Sequence, residues 1–173
     1  MNDTEGTEKV IIDNFVLKQH SDLLKNFYDK NTNLCSDGRD EHKHRNLHFV
    51  NIKDTEIQQI LLYYQTKLKF FIDHFFNDCV KAWNDPQICR WKVGESMDLH
   101  GDDEDGAGKD SVRYSALTYL NDNYEGGELR FENGKLYKLK ENSVIFFMSG
   151  IQNRHQVLEI KKGLRYTLPM WYN

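Results

Sequence analysis

The chain has 173 residues, with 23 basic and 27 acidic side chains and a net charge of −4 at pH 7. That balance argues against a general nucleic-acid binder, which needs a basic stripe, and no run approaches the ~18 apolar residues that span a membrane. The length suits one domain, residues 1–173, large enough to bury roughly two-thirds of its unfolded surface.

In chain order, Met1 to Lys9 is polar and acidic and lacks the basic start and apolar core of a secretory signal. Val10-Ile11-Ile12, with Phe15 and Val16, predicts a first strand. Leu23, Leu24, Phe27 and Tyr28 fall at the spacing of one helix face. Asn31 to Arg45 is polar and reads as a loop; its His42 and His44, among Lys, Arg and Asp, read as surface residues. Leu47 to Ile52 predicts a short strand. Asp54 or Thr55 then caps a long helix of about twenty-five residues. Its stripe is Ile57, Ile60, Leu61, Tyr64, Leu68, Phe71, Ile72 and Phe75.

From Gln87 onward, short β-like runs alternate with turn signals at Gly94, Gly126-Gly127, Asn133-Gly134, Glu141-Asn142, Gly150 and Gly163. The runs are Ile88 to Val93, Met97 to Leu99, Arg113 to Leu120, Glu128 to Phe131, Lys135 to Leu139, Ser143 to Met148, His155 to Ile160 and Arg165 to Trp171. Helices first and many short strands after predict an α+β chain: an antiparallel sandwich or barrel with helices on one sheet face. Three scattered cysteines, Cys35, Cys79 and Cys89, read as reduced thiols of a cytoplasmic protein.

The chemistry concentrates at Leu99-His100-Gly101-Asp102, His155 and Arg165. In an extended strand, residues i and i+2 face the same side, so His100 and Asp102 point together. With His155 they make two imidazoles and one carboxylate, the set that holds Fe(II) while leaving positions open for reaction. A structural zinc site would be closed and usually uses Cys. The acidic run after Gly101 does not fit a calcium loop: five residues before Gly106 stands Gly101, not an acid. Lys161-Lys162-Gly163 predicts a turn that makes the strands of His155 and Arg165 neighbours. Arg165 then lies beside Glu159, roughly 13 Å along from His155. A small dicarboxylate fits that gap, one end on the metal and the other on the guanidinium, with the Thr167 hydroxyl on the same side. Period two also places Arg113, Ser115 and Leu117 on the face of Tyr119, with Arg113 towards the substrate mouth.

Several stretches resemble the prolyl 4-hydroxylase-like branch of the Fe(II)/2-oxoglutarate dioxygenases. They are Arg90 to Glu95 leading to His100-Gly101-Asp102, Ala116 to Asn121, Tyr124 to Phe131, and His155 followed by Gly163-Leu164-Arg165-Tyr166. The opening Val10 to Phe15 and the helix after it are also similar. The resemblance implies a double-stranded β-helix, a jelly-roll or cupin-like core, with N-terminal helices packed on the major sheet. It implies Fe(II), 2-oxoglutarate as cosubstrate, O2, and ascorbate as reductant. The reaction implied is hydroxylation of a C–H bond with decarboxylation of 2-oxoglutarate to succinate, on a proline-containing peptide or protein. His100, Asp102 and His155 match the iron ligands, and Arg165 matches the cation that binds the distal carboxylate of the cosubstrate. Tyr119 matches a tyrosine that hydrogen-bonds the cosubstrate. Trp171 matches an aromatic near the entrance, plain core packing being the alternative. Trp91 stands where relatives commonly carry a tyrosine, and offers no hydroxyl. A carboxylate at Asp102, where halogenating relatives have a small residue, implies hydroxylation. Gly101 to Ser111 is either a flap over the pocket or an ordinary turn. Two other readings stay open: the same chemistry on a free amino acid, another side chain or a small metabolite, and a catalytically silent β-helix used as a binding module.

Overall fold

The computed structural model describes residues 8–37, 45–103 and 111–173. In chain order the elements are β1 (Lys9–Ile12), α1 (Lys18–Lys30), β2 (Ser36–Asp37), β3 (Arg45–His48), α2 (Thr55–Phe76), β4 (Gln87–Trp91), β5 (Met97–His100) and β6 (Tyr114–Tyr119). They continue with β7 (Glu125–Gly126), β8 (Leu129–Phe131), β9 (Leu136–Tyr137), β10 (Val144–Met148), β11 (His155–Val157), β12 (Ile160–Lys162) and β13 (Arg165–Tyr172).

The helices form where the apolar spacing predicts. In α1 the buried side is Ser21, Leu24 and Tyr28. In α2 the Asp54 side chain accepts from the Ile57 amide, which satisfies one of the free N–H groups of the first turn. The helix ends at Asn77, whose left-handed backbone (φ 51°) stops it after 22 residues. Ile57, Ile60, Leu61, Tyr64, Leu68 and Ile72 are buried, together with Gln65. Phe71 and Phe75, expected on the same stripe, stand at its edge and are 37% and 47% exposed. The sheet is narrower than the stripe, so the rings at its margin are only partly covered. Among the described residues no helix is long and apolar enough to cross a membrane.

The strands form a seven-stranded antiparallel sheet in the order β1-β10-β6-β13-β4-β3-β2, a four-stranded sheet β5-β11-β8-β9, and a two-stranded ribbon β12-β7. This is the two-sheet jelly roll of a double-stranded β-helix, with both helices against the larger sheet. Alternation along each strand sorts the core into two layers. Val144, Phe146, Tyr166, Leu168, Met170 and Tyr172 face the helices. Ile145, Phe147, Trp91 and Tyr119 face the smaller sheet, where they meet Leu129, Phe131 and Val157.

Four local expectations need correction. Phe15 and Val16 are buried but lie beyond the first strand, which ends at Ile12. The polar stretch after Asn31 contains a 3-10 turn, Thr32–Leu34, and the two-residue strand β2, which pairs Ser36 with Asn46 and Asp37 with Arg45. His42 and His44 lie outside the described residues. The strand expected over Leu47 to Ile52 is instead β3, followed by a 3-10 turn, Phe49–Asn51. The run His155 to Ile160 is two strands: β11 joins the small sheet, and β12 pairs with β7, which the sequence did not announce. At that crossing Gly126 has φ 76°, and a Cβ on it would stand 2.1 Å from the Glu159 carbonyl oxygen, so the close approach requires glycine.

Candidate active site

His100 closes β5 and His155 opens β11, and the two are register partners in the small sheet. Their rings are 4.6 Å apart between centroids. Each Nδ1 meets the carbonyl two residues before it, Asp98 O at 2.8 Å and Asn153 O at 3.0 Å. A carbonyl can only accept, so both Nδ1 atoms carry a proton, and in the neutral ring Nε2 is then the atom that offers a lone pair to a metal. The Nε2 atoms lie 3.7 Å from Asp102 Oδ1 and 3.7 Å from Asp102 Oδ2. One ligand atom from each of the three residues falls within 4.8 Å of the others, a spacing that one metal ion bridges. The strand alternation expected to carry Asp102 here is not what does so: β5 ends at His100, and a turn brings the carboxylate round.

The electrostatics suit a cation. Burial lowers the His155 pKa, so the imidazole is neutral and able to ligate. Burial would raise that of Asp102, but its interactions with His100, His155 and Ser115 outweigh it and keep the carboxylate ionised. The Ser115 hydroxyl is itself 2.6 Å from that of Ser149.

On the opposite wall, β13 presents Arg165, Thr167, Pro169 and Trp171 to the cavity. The hairpin between the strands of His155 and Arg165 is not formed. Arg165 is the register partner of Trp91 in the large sheet, and faces the histidines across the interior. The lysine-glycine turn instead leads out of β12, because β7 competes successfully for that strand. Arg165 is fully buried, and among the described residues no carboxylate forms an ion pair with it. Its Nη2 donates to the Tyr119 hydroxyl at 3.3 Å, and its guanidinium carbon lies 5.4 Å from the Trp91 ring and 4.9 Å from the Tyr119 ring. Burial works against its charge, and the Tyr119 and Tyr124 oxygens more than offset this, so the guanidinium remains charged. Among the described residues its Nε and Nη1 have no hydrogen-bond partner, nor does Thr167 Oγ1. A buried cation with two orphaned N–H groups is costly unless an anion meets it. A carboxylate supplies both the charge and the paired acceptors.

His100, Asp102, His155, Arg165, Thr167 and Trp171 all line one cavity, with Trp91, Met97, Leu117, Leu129 and Val157 making its apolar wall. Tyr119 reaches it through Arg165. Arg113 does not. It pairs with Asp78 beyond the end of α2 and lies over the Tyr114 ring, because β6 begins one residue later, at Tyr114. Of the Gly101 to Ser111 segment, residues 104–110 lie outside the described residues, and the flap reading with them. Two supports were not singled out from the sequence. Gly127, at φ 66°, leaves room for the Arg165 stem, which a Cβ would approach to 3.1 Å. Asn153 holds His155, and its signal was present: it stands two residues before that histidine, as Asp98 does before His100.

Residues 86–173, just over half of the chain and all of the wall just described, match the family model of the 2OG-Fe(II) oxygenase superfamily. The chain belongs to this superfamily. Human prolyl 3-hydroxylase 2 is 38% identical over 65 residues, and human prolyl 3-hydroxylase 3 is 32% identical over 65 residues. Each match covers 34% of this chain and 9% of the relative, so the chain spans a small part of their length. Among solved structures, the 2-oxoglutarate complex of a viral collagen prolyl hydroxylase from Paramecium bursaria Chlorella virus-1 aligns with a TM-score of 0.77 and 23% identity, over 95% of this chain and 94% of that one. A Pseudomonas putida prolyl-4-hydroxylase aligns with a TM-score of 0.74 and 17% identity, over 98% and 94%. A Trichoplax adhaerens prolyl hydroxylase, in complex with a peptide of hypoxia inducible factor, aligns with a TM-score of 0.76 and 20% identity, over 99% and 86%. This 2OG-Fe(II) oxygenase therefore has a prolyl hydroxylase-like fold, and its two-imidazole, one-carboxylate cluster fits the iron that the family implies.

Proposed function

We propose that this oxygenase hydroxylates a prolyl residue in a peptide or protein, using Fe(II), 2-oxoglutarate and O2, with ascorbate as reductant. The observation that carries the reading is the buried, carboxylate-seeking Arg165 across one cavity from His100, Asp102 and His155. His100, Asp102 and His155 hold the metal through two Nε2 atoms and one carboxylate oxygen. Arg165 pairs with the distal carboxylate of 2-oxoglutarate through its guanidinium N–H groups, and Thr167 adds a hydroxyl donor. Tyr119 holds the guanidinium in place. When bound, the metal and cosubstrate supply the oxidising chemistry, in which 2-oxoglutarate is converted to succinate and CO2 and one oxygen atom enters a C–H bond. The chain's own part is orientation and exclusion of water. Among the described residues the cavity wall besides the cluster and Arg165 is uncharged and largely apolar, from Met97, Leu117, Leu129, Val157, Pro169 and Trp171. A pyrrolidine ring suits such a wall, and a charged side chain would lose its hydration there. The three cysteines favour a reducing, cytoplasmic setting.

The test is mass spectrometry of proline-containing host peptides incubated with the protein, Fe(II), 2-oxoglutarate and a reductant. A product heavier by one oxygen atom on proline, formed with one succinate each, is the expected result. Activity confined to a free amino acid or metabolite overturns the prolyl reading and keeps the chemistry. Absence of succinate with every substrate, by metal-loaded protein, favours a binding module instead.

A further inference from the structure

The two candidate histidines take the same kind of hydrogen bond, but the carbonyls that receive it are not held alike. Asp98 lies within β5, between Met97 and His100, the two residues of that strand paired with β11. Asn153 ends a single 3-10 turn, Ile151–Asn153, outside any strand. Its N–H donates to Gly150 O at 3.0 Å, and its side chain adds two further holds. It is 1% exposed, its Nδ2 donates to Met148 O at 2.7 Å, and its Oδ1 accepts from Lys9 Nζ at 2.6 Å. Lys9 comes from β1, 144 residues away in sequence. There it is the register partner of Phe147, and its ammonium sits 4.4 Å from the centre of the Phe131 ring. Phe131 and Phe147 are the rings that pack on His155, at 5.7 Å and 5.2 Å between centroids. One lysine thus touches the ring behind the histidine and the amide in front of it.

We infer that Lys9 is a positioning residue of the metal centre: it clamps Asn153, whose carbonyl aims the His155 imidazole. The inference rests on the metal-site reading above. A 2.6 Å contact from an ammonium is a charge-assisted bond, about twice as strong as a neutral one. The cation over Phe131 keeps the lysine stem from swinging into solvent. Burial lowers the Lys9 pKa, so its proton is held less tightly than that of a surface lysine. Groups that orient a metal-bound histidine commonly change metal affinity by about 10- to 100-fold when removed.

The experiment titrates purified apoprotein with Co(II) and follows its visible absorption bands. Lys9→Met keeps the stem over Phe131 and removes the donor. It is expected to weaken Co(II) binding about ten-fold or more and to change the band shape, as loss of a group that orients a ligand does. Lys9→Arg restores both. Melting curves of the apoproteins establish that each variant is folded at the titration temperature, and Lys9→Gln serves if Lys9→Met is not. Wild-type affinity and bands in the folded Met or Gln variant overturn the inference, as does an Arg variant as weak as Met. Wild-type protein that binds no Co(II), or binds it equally well after His155→Ala, overturns the metal-site reading and the inference with it.

Discussion

At the scale of single residues, the site sets two imidazoles and one carboxylate on one wall against a buried guanidinium on the other. His155→Ala removes one of the three proposed ligands. Turnover and Co(II) binding are expected to vanish while the circular dichroism spectrum stays that of the wild type. Arg165→Ala is expected to raise the 2-oxoglutarate concentration for half-maximal turnover by roughly one to two powers of ten, the value of a charged hydrogen bond worth about 1.5–3 kcal/mol. An unchanged requirement removes Arg165 from cosubstrate binding. Without ligand, the same arginine is a buried charge lacking a carboxylate, and apolar replacement of such groups is often neutral or stabilising. Arg165→Met is therefore expected to melt no lower than wild type in the apo state. It should also lose the rise in melting temperature that 2-oxoglutarate with Mn(II) gives the wild type. The identities of these residues were legible because their chemistry is rare in combination. That Nε, Nη1 and Thr167 Oγ1 lack partners was not, since an orphaned atom is a property of everything around it.

At the scale of elements, α2 was legible because local physics writes it: an Asp54 cap, an apolar stripe at helical spacing, and a left-handed stop at Asn77. Asp54→Ala is expected to cost about 1 kcal/mol in denaturant unfolding, the usual value of an N-cap. The long strands were legible for the same reason. Strands β2 and β7 have two residues each, too few for any periodicity, and exist because a partner strand is waiting. The turn at Gly127 ties an element to the site. A Cβ there would stand 2.3 Å from Ile160 Cδ1 and 3.1 Å from Arg165 Cδ, at a backbone φ of 66°. Gly127→Ala is expected to cost about 1–3 kcal/mol of stability and to raise the 2-oxoglutarate requirement by displacing the Arg165 stem. Loss of stability with an unaltered requirement would show that the stem finds room elsewhere.

At the scale of the whole molecule, the helices close one face of the large sheet and the small sheet closes the other, so the reacting cavity lies between two apolar layers. Ion pairs tie the periphery. The hydrogen bond from Tyr114 holds the Asp78 carboxyl below its ordinary 3.8, with Arg113 adding to it and burial opposing. A folded pKa below the unfolded one stabilises above pH 3.8 and is lost as the pH falls further. The melting temperature of Asp78→Asn should accordingly fall furthest below wild type near neutral pH, and the difference should shrink in acid. An equal difference at all pH values would assign Asp78 a packing role alone. By itself the sequence determined the residue types of the candidate site, the helix faces and the alternation of the main strands, because these depend on residue chemistry and on neighbours a few positions away. Only the tertiary structure decided that Arg165 faces His155 across the interior rather than along a hairpin, that Asp102 arrives from a turn, that Arg113 leaves the cavity, and that Lys9 reaches Asn153. Each of these is a competition between distant strands for the same edge or the same space, and its outcome is settled by burial and pairing over the whole chain.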